Sequence, residues 1–447
     1  MKSALPLHAL LINPYVYDVS AYSFWSAPLG LLQIGAILRE NGMRVSLLDC
    51  LKEQDSGRKE DGRAPYLKER VENRLPIPVG KRFKRYGLSP EEAARRLSEM
   101  TPPDLVLVTC IMTYWHQGAE EIVRLARRLF PGAKIVVGGL YVSLCEEHAR
   151  THMKEADLVV PNRNMRLFYT FLEETFSCRI TFRPEQTDLD AFPFPAFDLY
   201  DHRYFVPLLT SFGCVYRCTY CAAPYLYPRR VRRTPDGVVR EISYWRDRGI
   251  VRFALYDDNF LFTPDAFAKP LLSAIAALPF DLAIYNPNAL NASLIDEETA
   301  RLLLPARFRE VRLGLETIDP SLQKSTGGKI SASAFRTAVD LLSRAGFPRS
   351  AIRAYILAGL PMQRCEDVRS TIDYASDLGI GVSLAMYAPI PHTPMFDAYR
   401  RIARYPIADE PVFQNNALFP FAWEGSTEED LNELKAYAKE RNAKVGR

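Results

Sequence analysis

Two successive series of short apolar strands alternating with amphipathic helices constrain this chain more than any other feature. In the first series, apolar runs at residues 8–12, 45–48, 105–109, 134–137 and 158–160 are separated by helical stretches. Leu31, Ile34, Gly35 and Leu38 fall on one helix face, and Asn41-Gly42 supplies the stop. A second helix is expected over residues 119–130. Strands that are apolar throughout, with helices between them, predict a parallel sheet covered on both faces. The first domain is therefore expected to be a doubly wound, Rossmann-like α/β fold spanning residues 1–180. Ligands of such sheets sit beyond the carboxyl ends of the strands.

The second series begins at Val206. Candidate strands are 207–212, 251–256, 281–285, 310–315, 351–357 and 382–387. Six βα units of this length fit a partial (β/α)6 barrel over residues 206–400 better than a flat sheet. Thr234-Pro235 and Thr263-Pro264 each read as an N-cap followed by a first-turn proline. Between the two series, Phe192-Pro193-Phe194-Pro195-Ala196-Phe197 lies in a proline- and aromatic-rich stretch. Prolines at this density disfavour helix, so residues 181–205 are expected to form a packed linker. Residues 401–447 are expected to form a helical C-terminal extension, its helix opened by Ser426-Thr427-Glu428-Glu429.

Residues 52–96 interrupt the first series. The stretch is polar, with Lys81, Arg82, Lys84 and Arg85 crowded around Phe83 and Tyr86. It reads either as a solvated insertion or as a lid or anion-binding segment, since long loops in compact domains are often functional.

The chain has 447 residues, 57 basic against 53 acidic, for a net charge of +4. That balance is too even to call for a nucleic-acid partner. No run of about 18 apolar residues is present, and the N-terminus lacks the pattern of a signal peptide. A cytoplasmic protein without a membrane partner is expected.

Of the eight cysteines, Cys50, Cys110, Cys145, Cys178 and Cys365 are scattered and read as small buried hydrophobes. Cys214, Cys218 and Cys221 are different. They lie in Ser211-Phe212-Gly213-Cys214-Val215-Tyr216-Arg217-Cys218-Thr219-Tyr220-Cys221, a loop just past the first strand of the second series. Three thiolates so spaced can converge on one metal centre, and soft thiolates select zinc, copper(I) or iron–sulfur clusters. Structural zinc usually takes four ligands, and no second cysteine pair accompanies this one. Three thiolates on a cubane cluster leave one iron free to bind another molecule. Iron–sulfur is thus the favoured reading; zinc and three metal-free buried thiols are the others.

The Cys-x-x-x-Cys-x-aromatic-Cys pattern, with Tyr220 at the aromatic position, resembles the defining motif of the radical S-adenosylmethionine (SAM) superfamily. That resemblance implies a 4Fe–4S cluster whose open iron holds SAM. Reduction of the cluster then cleaves SAM to methionine and a 5′-deoxyadenosyl radical. Other segments match in order. Asp257 and Asp258, ending the second strand, fall where the family places groups around the SAM amine. Gly314-Leu315-Glu316-Thr317 is similar to a Gly-x-Glu-Ser segment near the SAM ribose. Ile356-Leu357-Ala358-Gly359-Leu360-Pro361 and Ala388-Pro389-Ile390-Pro391-His392-Thr393-Pro394 resemble the family's later strand-end segments. Two positions depart: Met362-Gln363 replaces a usual Gly-Glu, and His392 replaces a usual Gly. For Asp257, Asp258 and Glu316, capping or internal ion pairing is the competing role. Arg353, on the fifth strand, is a candidate for the SAM carboxylate, with an internal salt bridge as its alternative.

A doubly wound domain ahead of such a barrel resembles the cobalamin-binding class of these enzymes. The residues that carry it are Gly30, opening the first helix, and Gly138-Gly139 at the fourth strand, where glycine lets backbone approach a bulky flat ligand. Tight turns of any α/β domain are the alternative. The Asp-x-His-x-x-Gly cobalt-ligand motif is absent, Asn13-Pro14-Tyr15 and Tyr17-Asp18 standing in the first loop. The resemblance therefore implies cobalamin held without a protein histidine. Thr113, Tyr114 and Trp115 are expected beneath the corrin, and the adjacent His116 is the one residue there able to reach cobalt.

What the resemblance implies about activity is methylation of an unactivated carbon of a small-molecule or peptide substrate. The methyl group would come through methylcobalamin, and reduced flavodoxin or ferredoxin would be the electron donor. A cobalamin-associated cyclase or rearrangement enzyme is the second reading. A non-catalytic cobalamin or iron–sulfur sensor is the third, disfavoured by the full set of strand-end motifs.

Overall fold

The computed structural model describes residues 6–72, 75–77, 79–161, 164–423 and 425–445. Its contacts divide into two units: Met1–Arg203 with Pro406–Leu418, and Tyr204–Tyr405 with Phe419–Arg447.

In the first unit a five-stranded sheet is built from β1 (His8–Asn13), β2 (Arg44–Asp49), β3 (Leu105–Thr109), β4 (Lys134–Gly138) and β5 (Leu158–Val159). All neighbours run parallel, in the order β2-β1-β3-β4-β5. Strand order reverses at β1 and β3, which opens a crevice outside their carboxyl ends, the usual ligand position in this architecture. Of its expected apolar face, helix Leu29–Glu40 buries Leu31, Gly35 and Leu38 and leaves Ile34 half-buried. The helix expected from residue 119 starts earlier: a turn of 3-10 helix at Thr113–Trp115 leads straight into His116–Leu129.

The 52–96 segment is more ordered than a solvated loop. Lys68–Arg70 and Lys84–Tyr86 pair antiparallel, and the latter also pairs with Val16–Asp18. Phe83 and Tyr86 are buried, and Arg85, buried with them, pairs with Glu69. Helix Pro90–Glu99 completes the crossover to β3, with Ser89 capping it. The proline-rich stretch also packs. Ala196 N–H donates to Leu32 O at 3.1 Å, and the Gln33 carboxamide donates to Pro193 O at 2.7 Å.

In the second unit, β6 (Val206–Leu208), β7 (Arg252–Leu255) and β8 (Ala283–Tyr285) form one parallel stretch. A second comprises β9 (Leu290–Asn291), β10 (Val311–Glu316), β11 (Ile352–Ala358) and β12 (Gly381–Met386). Five of the six expected strands recur with β9 added, but the first, expected over 207–212, ends at Leu208, and Ser211–Phe212 pairs elsewhere. Asn286, fully buried, spans the break between the stretches. Its carboxamide donates to Arg312 O at 2.8 Å and accepts from Arg312 N at 3.1 Å, beside a single parallel backbone bridge between Ile284 and Phe308.

Two expectations are corrected here. Thr234 caps helix Pro235–Arg246 as read, but Thr263 does not cap. It sits at φ 51°, and its hydroxyl donates to Phe262 O, so Pro264–Ala268 forms a π-helical turn before helix Lys269–Ala276. Residues 401–447 are not one extension. Segment Pro406–Leu418 returns to the first unit, where Asn415 donates to Asp18 at 2.9 Å. The capping-box helix Glu428–Asn442 packs instead on helix Cys365–Asp377 and β12. Among the described residues, no helix is long and apolar enough to cross a membrane.

Candidate active site

The cysteine loop is closed at its base by a small hairpin, Ser211–Phe212 pairing with Val231–Arg232. Gly213, at φ 80°, turns the chain into Cys214. Inside the loop, Cys221 N–H donates to Cys218 O at 3.0 Å. Two outside contacts anchor it: Thr219 N–H to Thr326 O at 3.1 Å, and Met395 N–H to Thr219 O at 2.9 Å. Cys218 is buried, Cys214 and Cys221 are partly exposed, and none is in a disulfide. Burial raises the Cys218 thiol against the pull of Lys329, and pushes Cys221 up to about 11. Thiols this weakly acidic give up their protons to a bound cation. Three such donors in one anchored loop, free of disulfides, fit an iron–sulfur cluster.

Asp257 and Asp258 hold this loop in place. Asp257 is 3% exposed. Its Oδ1 accepts from the hydroxyls of Thr210 and Ser211, both at 2.6 Å, and its Oδ2 from Thr210 N–H at 3.2 Å. Asp258 accepts from Gly213 N–H at 2.9 Å. Neither alternative role, capping the next helix or pairing with arginine, describes them. They fasten the segment entering Cys214.

Beyond the carboxyl end of β10 lies a recess lined by Cys218, Tyr220, Glu316, Gln323, Thr326 and Lys329. Glu316 stands at φ 63°, at a register shift in the β10–β11 ladder. Its carboxylate folds back over Gly314, where a Cβ would lie 2.8 Å from Oε1, and takes the Lys329 ammonium at 2.6 Å. Burial alone would lower the Lys329 pKa, but Glu316 and then the cluster cysteines hold it above its ordinary value. Burial first, then Glu316, keeps the Tyr220 hydroxyl far above the usual tyrosine range. Lys329 was not among the residues expected from sequence. Its local signal is slight, a lysine after Gly327-Gly328 in a polar loop.

Arg353 does not belong to this site. It is the second residue of β11, paired with Gly381, the first of β12, and its guanidinium donates to Val382 O at 3.3 Å. Five residues separate it from the strand's carboxyl end, roughly 16 Å at strand rise. The two departures from the family pattern fall where the backbone favours glycine. Met362 and His392 sit at φ 60° and 63°, the left-handed region that glycine occupies without strain. Gln363 ties its turn, donating to Leu357 O at 3.0 Å and accepting from Leu360 N–H at 3.2 Å. His392 stacks on Tyr225 with centroids 3.9 Å apart.

In the first unit, Trp115 is 6% exposed and donates from Nε1 to Asp18 at 2.7 Å, so its ring is part of the core. Thr113 is also buried, while Tyr114 is partly exposed beside it. His116, at 3% exposure, is stacked on Tyr141 in the interior of this unit. Gly139 is required internally: at φ 103°, a Cβ there would lie 2.5 Å from Cys110 O. Gly138 leaves 3.5 Å to Val160 O, and Gly30 is exposed, with no protein atom within 4 Å of where a Cβ would stand. Met112, 40% exposed just beyond β3, presents an apolar side chain that sequence reasoning overlooked. An exposed Met and an unobstructed glycine on this unit fit a broad apolar ligand.

Residues 208–391 match the Radical SAM superfamily, and residues 85–163 match the B12 binding domain. The chain is 22% identical to the cytidylyl-2-hydroxyethylphosphonate methyltransferase of Streptomyces wedmorensis, over 86% of this chain and 79% of that one. It is 23% identical to an uncharacterized methyltransferase of Pyrococcus horikoshii, over 77% of each. Its fold is similar to that of the radical SAM methyltransferase TsrM from Kitasatospora setae with cobalamin and a 4Fe–4S cluster bound. There the TM-score is 0.67 at 20% identity, covering 97% of this chain and 91% of TsrM. With its cysteine loop at a barrel-strand end and its doubly wound first unit, the chain joins a Radical SAM domain to a B12-binding domain.

Proposed function

We propose that this protein is a cobalamin-dependent radical SAM methyltransferase acting on an unactivated carbon of a small-molecule or peptide substrate. The observation that carries the reading is the recess where Cys218, Tyr220, Glu316 and Lys329 meet, in a chain that also has a B12-binding domain. Cys214, Cys218 and Cys221 would hold the cluster; Met112, Tyr114, Gly30 and Gly138 would border the cobalamin. When bound, the cluster and SAM supply a one-electron reductive cleavage, and cobalamin supplies a transferable methyl group.

The chain's own residues supply position and charge. Asp257 and Asp258 fix the entry to the cysteine loop through Thr210, Ser211 and Gly213. Glu316 offers a carboxylate suited to ribose hydroxyls, and the Lys329 ammonium holds it in place. Tyr220, protonated at neutral pH, can donate toward a cluster sulfur or a thiolate. A reduced flavodoxin or ferredoxin is the proposed electron donor.

The test is anaerobic turnover with reconstituted cluster, cobalamin, SAM and a strong reductant, with nucleosides quantified by mass spectrometry. Deoxyadenosine together with cobalamin-dependent S-adenosylhomocysteine is expected. Deoxyadenosine alone would turn the reading to a cyclase or rearrangement enzyme.

A further inference from the structure

Away from the cysteine loop, three metal-ligating side chains meet inside the first unit. His116 opens helix His116–Leu129, His148 lies on helix Glu146–His152, and Glu410 arrives on the returning segment Pro406–Leu418. One ligand atom of each lies within 4.8 Å of the others. His116 is 3% exposed, yet neither of its ring nitrogens has a hydrogen-bond partner among the described residues; nor has Nε2 of His148. Each buried polar atom left unpaired costs about 1–3 kcal/mol, so such a concentration calls for an explanation.

The surroundings orient these atoms. The Tyr141 ring stacks on His116 with centroids 5.3 Å apart, and its hydroxyl lies 2.6 Å from Nδ1 of His148. If that Nδ1 carries the proton, Nε2 of His148 turns a lone pair toward Glu410, whose Oε2 is 3.9 Å away. Metal-bound histidines are commonly fixed in this way, by a hydrogen bond from the other ring nitrogen. Burial, and secondarily the neighbouring histidines, lowers His116 to about 3 and His148 to about 4, so both rings are neutral near pH 7. Neutral rings gain little from a carboxylate as ion pairs.

We propose that His116, His148 and Glu410 bind one divalent transition-metal ion of the zinc class, which fastens segment Pro406–Leu418 to the B12-binding unit. Two imidazoles and a carboxylate are an established three-residue donor set for zinc, and imidazole disfavours magnesium and calcium. Zinc–ligand bonds of about 2.0–2.2 Å put tetrahedral donors roughly 3.3 Å apart. Binding therefore needs only side-chain adjustment.

The test uses the full-length chain with Cys214, Cys218 and Cys221 all replaced by Ala, so that the cluster thiols cannot take zinc. Zinc(II) is titrated against a chromophoric chelator without cobalamin. One equivalent is expected to bind and to raise the melting temperature. Glu410→Gln and His148→Ala, each checked for folding by circular dichroism, are expected to weaken binding by at least about tenfold and to abolish the thermal shift. Elemental analysis of the cluster-loaded wild-type protein grown with zinc provides a second reading, with one zinc per chain expected beyond the iron. No bound equivalent in either preparation, or affinity unchanged by both substitutions, would overturn the proposal.

Discussion

The Lys329 ammonium lies 2.6 Å from Oε1 of Glu316, and both side chains are largely withdrawn from solvent beside Cys218. The pair joins a strand end to the loop beyond the next helix, Pro320–Thr326, and gives the recess its one opposed set of charges among the lining residues. Lys329→Met leaves the carboxylate without its cation, at a cost of about 1–3 kcal/mol. If Glu316 must be held by Lys329 to bind SAM, the SAM Kd of the cluster-loaded variant rises at least about tenfold. Lys329→Arg is expected to recover part of the affinity. Equilibrium dialysis measures it, and an unchanged Kd for the Met variant would remove Lys329 and Glu316 from the SAM site.

Cys218 is the most buried of the three loop cysteines and faces that same recess. Cys218→Ala is expected to abolish the visible absorbance of the reconstituted cluster while leaving far-UV circular dichroism unchanged. The loop's backbone anchors run through Thr219 and do not need the thiol. Full cluster absorbance in the variant would rule out the assignment.

Asp257 predicts a pH dependence. Burial pushes its carboxyl up to about 6 from 3.8, against hydrogen bonds that favour the charged form. A raised carboxylate pKa means the folded state holds its proton more tightly than the unfolded chain. Its contribution is therefore fully present below the unfolded value and lost as pH rises through the folded one. Across about pH 4 to 6 the change is on the order of 3 kcal/mol. Thermal midpoints of the cluster-free wild type and Asp257→Asn are expected to differ with pH, the wild type losing ground as pH rises through this window. Parallel curves would contradict it.

His392 takes a left-handed backbone and stacks flat on Tyr225. The strain in a non-glycine residue there is about 1–2 kcal/mol. His392→Gly relieves it and loses the stack, whereas His392→Ala keeps the strain and loses the stack. The Ala variant is expected to be the less stable of the two by about 1–2 kcal/mol. Equal denaturation midpoints would show that position 392 is not strained.

The extent to which sequence disclosed this molecule follows how local each signal is. Leu105–Thr109 is apolar at every position but the last, and the strand begins and ends where that run does. The cysteine loop announces itself because its three donors lie close together in the chain. Arg353 misled because apolar flanks place an arginine on a strand without saying which end of the strand faces the site. Strand register supplied that, pairing it with the first residue of β12. Lys329 and Glu316 meet only because the chain after β10 turns back on itself. Thr263 satisfied the N-cap pattern and still adopted a left-handed backbone, so local preference yielded to packing there. His148 and Glu410 lie on different segments, and nothing near either of them in sequence points to the other.

Gly30 separates ligand binding from folding most cleanly. It lies in the first turn of helix Leu29–Glu40, exposed, with nothing within 4 Å of an added Cβ. Alanine there meets no protein atom, and helical Gly→Ala gains up to about 1 kcal/mol. Gly30→Ala is thus expected to leave the melting temperature of the cobalamin-free protein unchanged or slightly raised. A larger residue, as in Gly30→Leu, is expected to weaken cobalamin binding by at least about tenfold if the corrin covers this turn. Gly139→Ala is the contrasting case. Its backbone is left-handed and its Cβ would collide with Cys110 O, so it is expected to destabilise the unit whether or not cobalamin is present. Absorbance titration with hydroxocobalamin, read beside thermal melts, tells the two apart. Undiminished cobalamin affinity in Gly30→Leu would move the binding surface off the first helix and toward Met112 and Tyr114.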